Sequence, residues 1–387
     1  MKTIIHNGKV ICPDSIIQNG YIEVENGAIT GIKSGIAAKK AQGKSQGPAT
    51  HWIDAEGNYI SPGFIDLHVH GVGICDFYKD PVKGLKNMAK ILASQGVTSF
   101  LPTFITAPIN KIIDSLSVLR WHTDIVGANV LGVNLEGPFI NPKKCGAHPV
   151  TDIRKADKKD LKDLIDAAGG NLRIITLAPE IPGVLDFIDL LKENAVIPAI
   201  GHTMASFEET MTAIDRGFNY ISHTFNAMTP FHHRAPGAIG AILIRKEVTT
   251  EIIADGTHVH PAVVKFLCQI KEKSKIILVT DVLSGIMRKG DKTEFADKEI
   301  TCTGPGAYDS SGTLMGGVTP MNKALQNIAK FADLNLIEAV KLATINPANV
   351  LGIANRKGSI EIGKDADIVI FGEDFKVKTT IIKGKVI

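Results

Sequence analysis

The run Phe64-Ile65-Asp66-Leu67-His68-Val69-His70-Gly71 combines an apolar strand with two histidines at the point where that strand ends. Because successive side chains of a strand point to opposite faces, His68 and His70 share one face, which suits two imidazole ligands of one metal ion. The alternative is a pair of hydrogen-bonding histidines beside a site that holds a single metal elsewhere. The run predicts a strand whose carboxyl end carries chemistry.

The same pattern, an apolar run followed by polar residues and in most cases by a helical stretch, recurs along the middle of the chain. Near-continuous apolar strands are typical of a parallel sheet that is covered on its outer face. Eight such units over about 290 residues match the usual size of an α/β fold, the (β/α)8 TIM-like barrel. The predicted strands are 65–69, 98–101, 130–135, 173–177, 197–200, 220–222, 251–254 and 276–279, and the predicted helices are 86–94, 157–168, 184–194, 207–216, 261–271 and 321–331.

Both ends of the chain are rich in short strand-like runs instead. Near the amino terminus these runs are separated by Asn7-Gly8, Asn19-Gly20 and Asn26-Gly27, pairs that tolerate the positive φ of hairpin turns and so predict an antiparallel meander. Near the carboxyl terminus three further runs, 359–362, 366–371 and 379–382, alternate with turns. Since neither end can bury an apolar face alone, we predict one small β-sandwich domain formed by both termini. The predicted boundaries are 1–60 and 355–387 for this domain and 61–354 for the barrel.

Ligand-type side chains follow six of the predicted barrel strands. The strand carboxyl ends of such a barrel converge on one mouth, and this placement of polar residues argues against the competing fold, a doubly wound open sheet. A single histidine at a strand end is more often a hydrogen-bonding residue, but groups at six strand ends in a chain of 12 histidines indicate a metal site. Imidazole and carboxylate ligands suit zinc, ferrous iron and related divalent ions. The residues concerned are His68, His70, Glu136, His202, His223, His258 and Asp281.

The composition argues against several other classes of protein. A net charge of +3 from 43 basic and 40 acidic residues provides no electrostatic basis for nucleic acid binding. No apolar run approaches the roughly 20 residues of a membrane helix, and the amino terminus lacks the apolar core of a signal peptide. The five cysteines are scattered and never spaced as CxxC, which indicates free thiols in a reducing compartment. We therefore expect a cytoplasmic protein with neither nucleic acid nor membrane as a partner, and we expect the basic run 39–44 to be a solvated loop.

With these residues in place, the sequence resembles the amidohydrolase superfamily, and within it the N-acetylglucosamine-6-phosphate deacetylases. The resemblance runs nearly from end to end and includes the split β domain. The segments that carry it are Pro62-Gly63-Phe64-Ile65-Asp66-Leu67-His68-Val69-His70-Gly71, Leu135-Glu136-Gly137-Pro138-Phe139, Leu177-Ala178-Pro179-Glu180, Gly201-His202-Thr203, His223-Thr224-Phe225-Asn226-Ala227-Met228, His232-His233-Arg234-Ala235-Pro236-Gly237, Ile253-Ala254-Asp255-Gly256-Thr257-His258, Val279-Thr280-Asp281, Gly312-Thr313-Leu314 and Gly363-Lys364-Asp365-Ala366-Asp367.

The resemblance implies a catalytic role for each matched residue of the strand ends. Glu136, His202 and His223 match the principal ligands of a divalent metal, with zinc or iron expected. Asp281 matches a further metal-site residue, which orients the attacking water, takes its proton and passes it to the leaving nitrogen. His258 matches the histidine beside the amide of the substrate.

The resemblance also implies the number of ions, the substrate contacts and the assembly. His68 and His70, which some members lack, imply a second ion bridged by Glu136, so we expect one or two ions per chain. The family implies a sugar phosphate as the substrate, and a homodimer in which the phosphate-binding arginine reaches across the interface. The residues that match substrate contacts are His148, Asn226, Ala227, Arg234 and His258, with His232 and His233 as neighbouring candidates.

Departures from the common family pattern leave the sugar open. Thr224-Phe225, residues 282–284 and residues 316–320 differ from the usual family residues around the pocket, so N-acetylgalactosamine-6-phosphate is an alternative substrate. A cyclic-amide hydrolase of the dihydropyrimidinase type is disfavoured, because those enzymes use a carboxylated lysine where Glu136 stands. A catalytically inactive binding protein is expected to lack ligands that are present here. Neither Cys145 nor His260 is expected to take part in catalysis, because metal-assisted hydrolysis requires no thiol and His260 fits a structural role.

Overall fold

The computed structural model describes residues 2–35, 50–71, 78, 80–120, 125–283, 289–296, 298–304 and 306–387. The basic run 39–44, Cys75 and Ser284 lie outside the described residues. Across the ranges that are described, no helix combines the length and the apolar character that a membrane span requires.

Five strands lead from the amino terminus to the barrel: β1 (Lys2–Ile11), β2 (Ile16–Glu25), β3 (Ala28–Ser34), β4 (Thr50–Asp54) and β5 (Tyr59–Pro62). β1 pairs antiparallel with β2 but parallel with β4 and β5, so the prediction of a purely antiparallel meander is wrong. Asn26-Gly27 forms the predicted hairpin turn between β2 and β3. β1 and β2 instead continue through Asn7 and Asn19, which adopt positive φ, and the pairing register shifts on both sides of Gly8. A positive φ at an Asn-Gly pair therefore serves as a strand irregularity as well as a turn.

The central sheet is the predicted parallel barrel. Its strands follow the order β14-β13-β12-β11-β10-β9-β7-β6, and β8 lies beside β7. The backbone N–H of Asp281 donates to the His68 carbonyl at 2.9 Å and that of His70 to the Val282 carbonyl at 2.9 Å, which joins the ends of the first and last strands. The strands are β6 (Phe64–Val69), β7 (Val97–Phe104), β8 (Asn129–Val130), β9 (Val133–Glu136), β10 (Leu172–Leu177), β11 (Ile197–Ile200), β12 (Tyr220–Ile221), β13 (Thr249–Ile253) and β14 (Ile276–Val279).

The third predicted strand, 130–135, is interrupted at Gly132. This glycine has a φ of 131°, and a Cβ atom there would lie 2.4 Å from the Asn171 carbonyl oxygen. The chain therefore splits into β8 and β9, both of which pair with β7. Glu136 consequently stands at the last position of β9, at the mouth of the barrel.

Helices follow most of the barrel strands, and two of them match the predicted ranges residue for residue. Phe207–Arg216 begins with a capping box between Ser206 and Glu209 and ends at Gly217 in the left-handed conformation. The predicted helix 184–194 is a 3-10 turn, Val184–Phe187, followed by a short α-helix. The α-helices are α1 (Pro81–Ser94), α2 (Ile109–Leu119), α3 (Lys158–Ala168), α4 (Ile188–Glu193), α5 (Phe207–Arg216), α6 (Gly237–Ile244), α7 (Pro261–Ile270), α8 (Met321–Phe331), α9 (Leu336–Leu342) and α10 (Ile345–Val350).

A four-stranded antiparallel sheet follows the last barrel strand. It consists of β15 (Lys292–Phe295), β16 (Lys298–Cys302), β17 (Gly306–Asp309) and β18 (Leu314–Gly317). The sheet has a small core of its own, which includes Leu283, Ile300 and Met315. It is tied to the barrel mouth because the Gly317 N–H donates to the Asp281 carbonyl at 2.9 Å.

The chain then returns to the amino-terminal sheet through β19 (Ile368–Phe371), β20 (Val377–Ile382) and β21 (Lys385–Val386). β19 pairs antiparallel with β5, so both termini contribute to one mixed eight-stranded sheet, as predicted for the small β domain. The predicted strand 359–362 is wrong: this segment makes no strand, and Gly363 N–H donates to the Ile29 carbonyl at 2.8 Å from a turn. The sheet has its own apolar core, with members from both termini that include Ile5, Ile22 and Ile381.

Candidate active site

The residues expected to bind metal meet at the carboxyl ends of the barrel strands. Glu136 ends β9, His70 directly follows β6, and His202, His223 and Asp281 each lie two residues beyond a strand. All of them are buried, together with His68 inside β6. The structure therefore brings together side chains that are separated by up to 213 residues of sequence.

Three of these residues have a backbone conformation that is rare for a side chain with a Cβ atom. The φ angles of His202, His223 and Asp281 are 47°, 24° and 50°, in the left-handed region. Such conformations cost free energy and are found where the surrounding structure imposes them, often at active sites. Here they turn each side chain away from the path of its strand and toward the barrel axis.

Glu136 lies at the centre of the cluster. Its Oε1 is 2.7 Å from His223 Nε2, 3.0 Å from His202 Nε2 and 3.4 Å from His68 Nε2. Its Oε2 is 3.1 Å from His148 Nε2 and 3.3 Å from His70 Nε2. Five imidazoles thus present the same ring nitrogen to one carboxylate.

The hydrogen bonds behind two of the imidazoles decide which ring nitrogen carries the proton. His202 Nδ1 lies 2.7 Å from the Lys144 carbonyl oxygen, and His70 Nδ1 lies 3.2 Å from that of Thr103. A carbonyl oxygen only accepts, so both Nδ1 atoms donate, and in the neutral ring each Nε2 presents a lone pair to Glu136. Lone pairs that converge on a carboxylate require a cation or extra protons between them. These residues therefore fit a divalent metal ion, and the histidine-to-carbonyl bonds are those that orient metal ligands in proteins.

In the absence of a metal, protons supply the missing positive charge. Burial disfavours the charged form of His70, but the hydrogen bonds to Asp281 and Glu136 outweigh it and raise its pKa to about 9. Burial likewise opposes ionisation of Asp281, yet His70 and the charge of His68 lower its pKa to about 2. The pKa of Glu136 is held well below its usual range, against the effect of burial, by the surrounding histidines. Without a metal, the ionised Glu136 and Asp281 therefore lie beside a protonated His70.

Asp281 connects the cluster to His258. One carboxylate oxygen of Asp281 lies 3.0 Å from His70 Nε2, and the other lies 3.7 Å from His258 Nε2. His258 is held from behind by Asp255, whose Oδ2 is 2.6 Å from His258 Nδ1. His258 and Asp281 consequently lie side by side at the mouth.

His148, expected to contact substrate, also contacts Glu136. The backbone N–H of Thr106 donates to His148 Nδ1 at 3.1 Å, which places the imidazole proton on Nε2, where it faces Glu136 Oε2. Burial and the charge of His202 lower the pKa of His148 to about 4, despite the opposing effect of Glu136. His148 is therefore a neutral hydrogen-bond donor, in contrast to the imidazoles that present lone pairs.

The expected sugar-phosphate residues lie farther out. Asn226 donates through its side-chain amide to the His223 carbonyl at 3.1 Å, and the Ala227 carbonyl accepts from Thr203 N–H at 3.0 Å. Asn226 and Ala227 are therefore bonded to the backbone at or next to His223 and His202. Arg234 is exposed, and its guanidinium lies 2.8 Å from His233 Nε2. Among the described residues, Arg234 makes its side-chain contact with His233 and not with the Glu136 cluster.

Comparison with known proteins places the chain in a family. Residues 59–387 match the model of the amidohydrolase family. The chain belongs to this family. It is 35% identical to the N-acetylglucosamine-6-phosphate deacetylase of Bacillus subtilis (strain 168), over 99% of this chain and 96% of the relative. An N-acetylgalactosamine-6-phosphate deacetylase of Escherichia coli O157:H7 is also 35% identical, over 86% of this amidohydrolase and 88% of the relative.

The fold of this amidohydrolase is likewise that of a solved relative. The crystal structure of N-acetylglucosamine-6-phosphate deacetylase from Pasteurella multocida superposes with a TM-score of 0.91 at 30% identity and covers 100% of both chains. The (β/α)8 barrel with its terminal β domain is therefore shared along the whole chain.

Sequence reasoning missed two buried acidic residues of the amidohydrolase site. Asp255 orients His258, and the spacing of three residues between them, together with the turn at Gly256, is the signal that would have found it. Glu251 lies 2.9 Å from His68 Nδ1 and accepts the hydroxyl proton of Tyr220 at 2.8 Å. Nothing in the sequence distinguishes Glu251 from an ordinary polar residue at the start of a strand.

Proposed function

We propose that this amidohydrolase removes the acetyl group of N-acetylglucosamine-6-phosphate, giving glucosamine-6-phosphate and acetate in amino-sugar catabolism. The observation that carries the proposal is the cluster of imidazoles around Glu136, with Asp281 beside it, in a chain that matches deacetylases along almost its whole length. N-acetylgalactosamine-6-phosphate is the second candidate substrate, because a relative named for it is also 35% identical, over 86% of this chain.

The experiment that tests the function is acetate release from four sugars assayed side by side. They are N-acetylglucosamine-6-phosphate, N-acetylgalactosamine-6-phosphate and the two unphosphorylated sugars. We expect the highest kcat/KM with the first. Faster release from the galacto compound would exchange the two candidates, and no acetate from any of the four would overturn the deacetylase proposal.

The metal is proposed to be zinc or iron, with one or two ions per chain. Glu136, His202 and His223 would hold one ion, and His68, His70 and Asp281 would hold a second that shares Glu136. The three-residue clusters His68–His70–Asp281 and His68–Glu136–His223 each have ligand atoms within 4.8 Å of one another. When bound, a divalent ion supplies Lewis acidity and a nucleophile that is active at neutral pH.

The chain itself handles the proton of the reaction. The Asp281 carboxylate, whose pKa of about 2 keeps it ionised at neutral pH, takes the proton of the attacking water and delivers it to the leaving nitrogen. The delivery is needed because an amide nitrogen cannot leave as an anion. Burial disfavours the charged form of His258, but the hydrogen bond to Asp255 raises its pKa. In this protonated form, His258 donates from Nε2 to the oxyanion that develops on the acetyl carbonyl, while Nδ1 donates to Asp255. Asn226, Ala227 and His148 are proposed to position the sugar.

Arg234 is proposed to bind the phosphate, and Arg234→Ala is expected to raise KM for the phosphorylated sugar about 10–100-fold with little change in kcat. The planar guanidinium suits two phosphate oxygens, and a hydrogen bond to a charged group contributes about 1.5–3 kcal/mol. Steady-state kinetics of acetate release measure the effect. Arg216→Ala, an exposed arginine at the end of α5, is the control and should leave KM unchanged. An unaltered KM for Arg234→Ala would remove it from the phosphate site.

The assembly is proposed to be a homodimer that forms beside Arg234. Phe231, Ile244, Phe266 and Ile270 are 60%, 59%, 46% and 42% exposed and line one apolar groove next to the Arg234 loop. Exposed apolar groups that cluster in this way mark protein contact sites. Sedimentation equilibrium measures the oligomeric state, and a monomer at micromolar concentration would contradict the homodimer.

A cytoplasmic location is proposed as well, supported by the free thiols of the described cysteines, Cys12, Cys145, Cys268 and Cys302.

A further inference from the structure

Glu251 is a buried carboxylate in the interior of the barrel, below the Glu136 cluster. β13 is buried at every position, and the exposed fraction of Glu251 is 0%. Its oxygens face three groups: Tyr220 Oη at 2.8 Å, the His223 backbone N–H at 2.8 Å and His68 Nδ1 at 2.9 Å. None of these contacts comes from a lysine or an arginine. A carboxylate is costly to remove from water, so a buried one needs hydrogen-bond donors or a positive charge beside it.

Of these three partners, His68 is the one whose ring lies between Glu251 and the Glu136 carboxylate. The Nδ1 atoms of His70 and His202 face neutral carbonyl oxygens, whereas that of His68 faces the carboxylate of Glu251. On the other side of the ring, His68 Nε2 makes no hydrogen bond with any residue that the structure describes, and it lies 3.4 Å from Glu136 Oε1. A proton held on Nδ1 by Glu251 leaves that Nε2 with a lone pair aimed at the cluster.

We propose that Glu251 is a positioning residue of the metal centre, which holds His68 as a ligand and favours a second ion. The proposal rests on the metal site of the proposed function. Carboxylate–histidine pairs behind a metal fix the ring and raise the basicity of the ligand nitrogen. The negative charges of Glu136 and Asp281 together balance the charge of one divalent ion. Glu251 adds a third negative charge, which offsets part of the charge of a second ion. The same carboxylate also accepts a hydrogen bond from the His223 N–H, so it contacts a proposed ligand of each of the two ions.

The test is a titration of the metal-free chain with Co²⁺. Calorimetry measures the affinity of each binding step, and the visible absorption of the bound ion reports its ligands. Glu251→Gln keeps the size of the side chain and an oxygen for Tyr220, but it removes the charge and replaces the oxygen that faces His68 Nδ1 and the His223 N–H with an NH2 donor. We expect it to weaken one binding step about 10–100-fold, the magnitude associated with such partners of metal ligands. His68→Asn should weaken the same step and alter the same absorption band. No sugar is present, so the outcome is independent of the acetate assay.

Two further variants separate positioning from a structural role. Tyr220→Phe removes a different hydrogen bond of Glu251 and leaves its charge, so every Co²⁺ binding step should stay within about twofold of wild type. Glu251→Asp keeps the charge, should recover part of the lost affinity, and serves as the test if Glu251→Gln does not fold. Wild-type binding in both Glu251 variants would overturn the proposal. So would an equal loss in Tyr220→Phe, or a Glu251→Gln effect on a step that His68→Asn leaves intact.

Discussion

Asp281→Asn is expected to lower kcat for acetate release by about 10²–10⁴-fold, the usual contribution of a general acid–base group. The amide that replaces the carboxylate can still accept a hydrogen bond from His70, but it cannot take a proton from water and return it to nitrogen. The low pKa of Asp281, about 2, means that the wild-type carboxylate is ionised throughout the neutral range. KM should change little, because Asp281 is proposed to act on the reacting group and Arg234 on the phosphate.

The measurement combines steady-state kinetics with metal content and with calorimetric binding of the sugar phosphate. Metal content matters because Asp281 is also proposed as a ligand, and its loss has to be separated from the loss of proton transfer. Asp333→Asn, which alters a surface ion pair with Lys265, is the matched control and should retain wild-type turnover. Turnover near wild type in Asp281→Asn would show that another group moves the proton.

The barrel was predictable because its strands are short apolar runs that interrupt a polar, helix-forming background. The strands 197–200 and 276–279 were predicted to the residue. The helix Gly237–Ile244 was not predicted for a related reason. Its sequence, Gly-Ala-Ile-Gly-Ala-Ile-Leu-Ile, is apolar on nearly every side, so it has no amphipathic period to detect.

The terminal sheet shows where local rules fail. An Asn-Gly pair reveals that the backbone can adopt positive φ, but not whether the chain then reverses direction. At Asn26-Gly27 it reverses, whereas at Asn7-Gly8 the strand goes on because β4 and β5 pair with it in parallel from farther along the sequence. Tertiary pairing decides between a turn and a bulge, and no short window of sequence contains it.

The candidate site likewise contains residues that the sequence indicates and residues that only the tertiary structure brings into place. Ligand-type residues at strand ends stand out against apolar neighbours, which is why Glu136, His202 and His223 were predicted together. Glu251 follows Thr249-Thr250 in a stretch that reads as the polar start of a strand, and only the closed barrel turns it toward His68. The contact of His148 with Glu136 depends on the path of a long loop, and for that reason it too was beyond the sequence.

Glu136→Gln is expected to abolish stable metal binding and with it acetate release. Partners that only orient a metal ligand are worth about 10–100-fold in affinity, so losing the charge of a shared ligand should cost more than about 100-fold. Metal analysis after dialysis and acetate kinetics measure the two effects. Glu247→Gln, which removes one of the two carboxylate partners of Arg245 on the surface, is the control and should retain both properties.

Glu136→Gln should also reveal the proton network of the metal-free protein through the pH dependence of stability. The pKa of Glu136 is lowered on folding, so its stabilising effect is present above the unfolded value of 4.5 and is lost as pH falls through the folded pKa. The pKa of His70 is raised from 6.5 to about 9, so its effect is complete below 6.5 and is lost as pH rises through about 9. Both effects are complete between about pH 4.5 and 6.5. In this range the free energy of unfolding of the metal-free wild type should exceed that of Glu136→Gln most, by about 3–5 kcal/mol for a broken buried ion pair. Denaturant unfolding across this pH range measures the difference, and a difference that does not vary with pH would contradict the ionic network around Glu136.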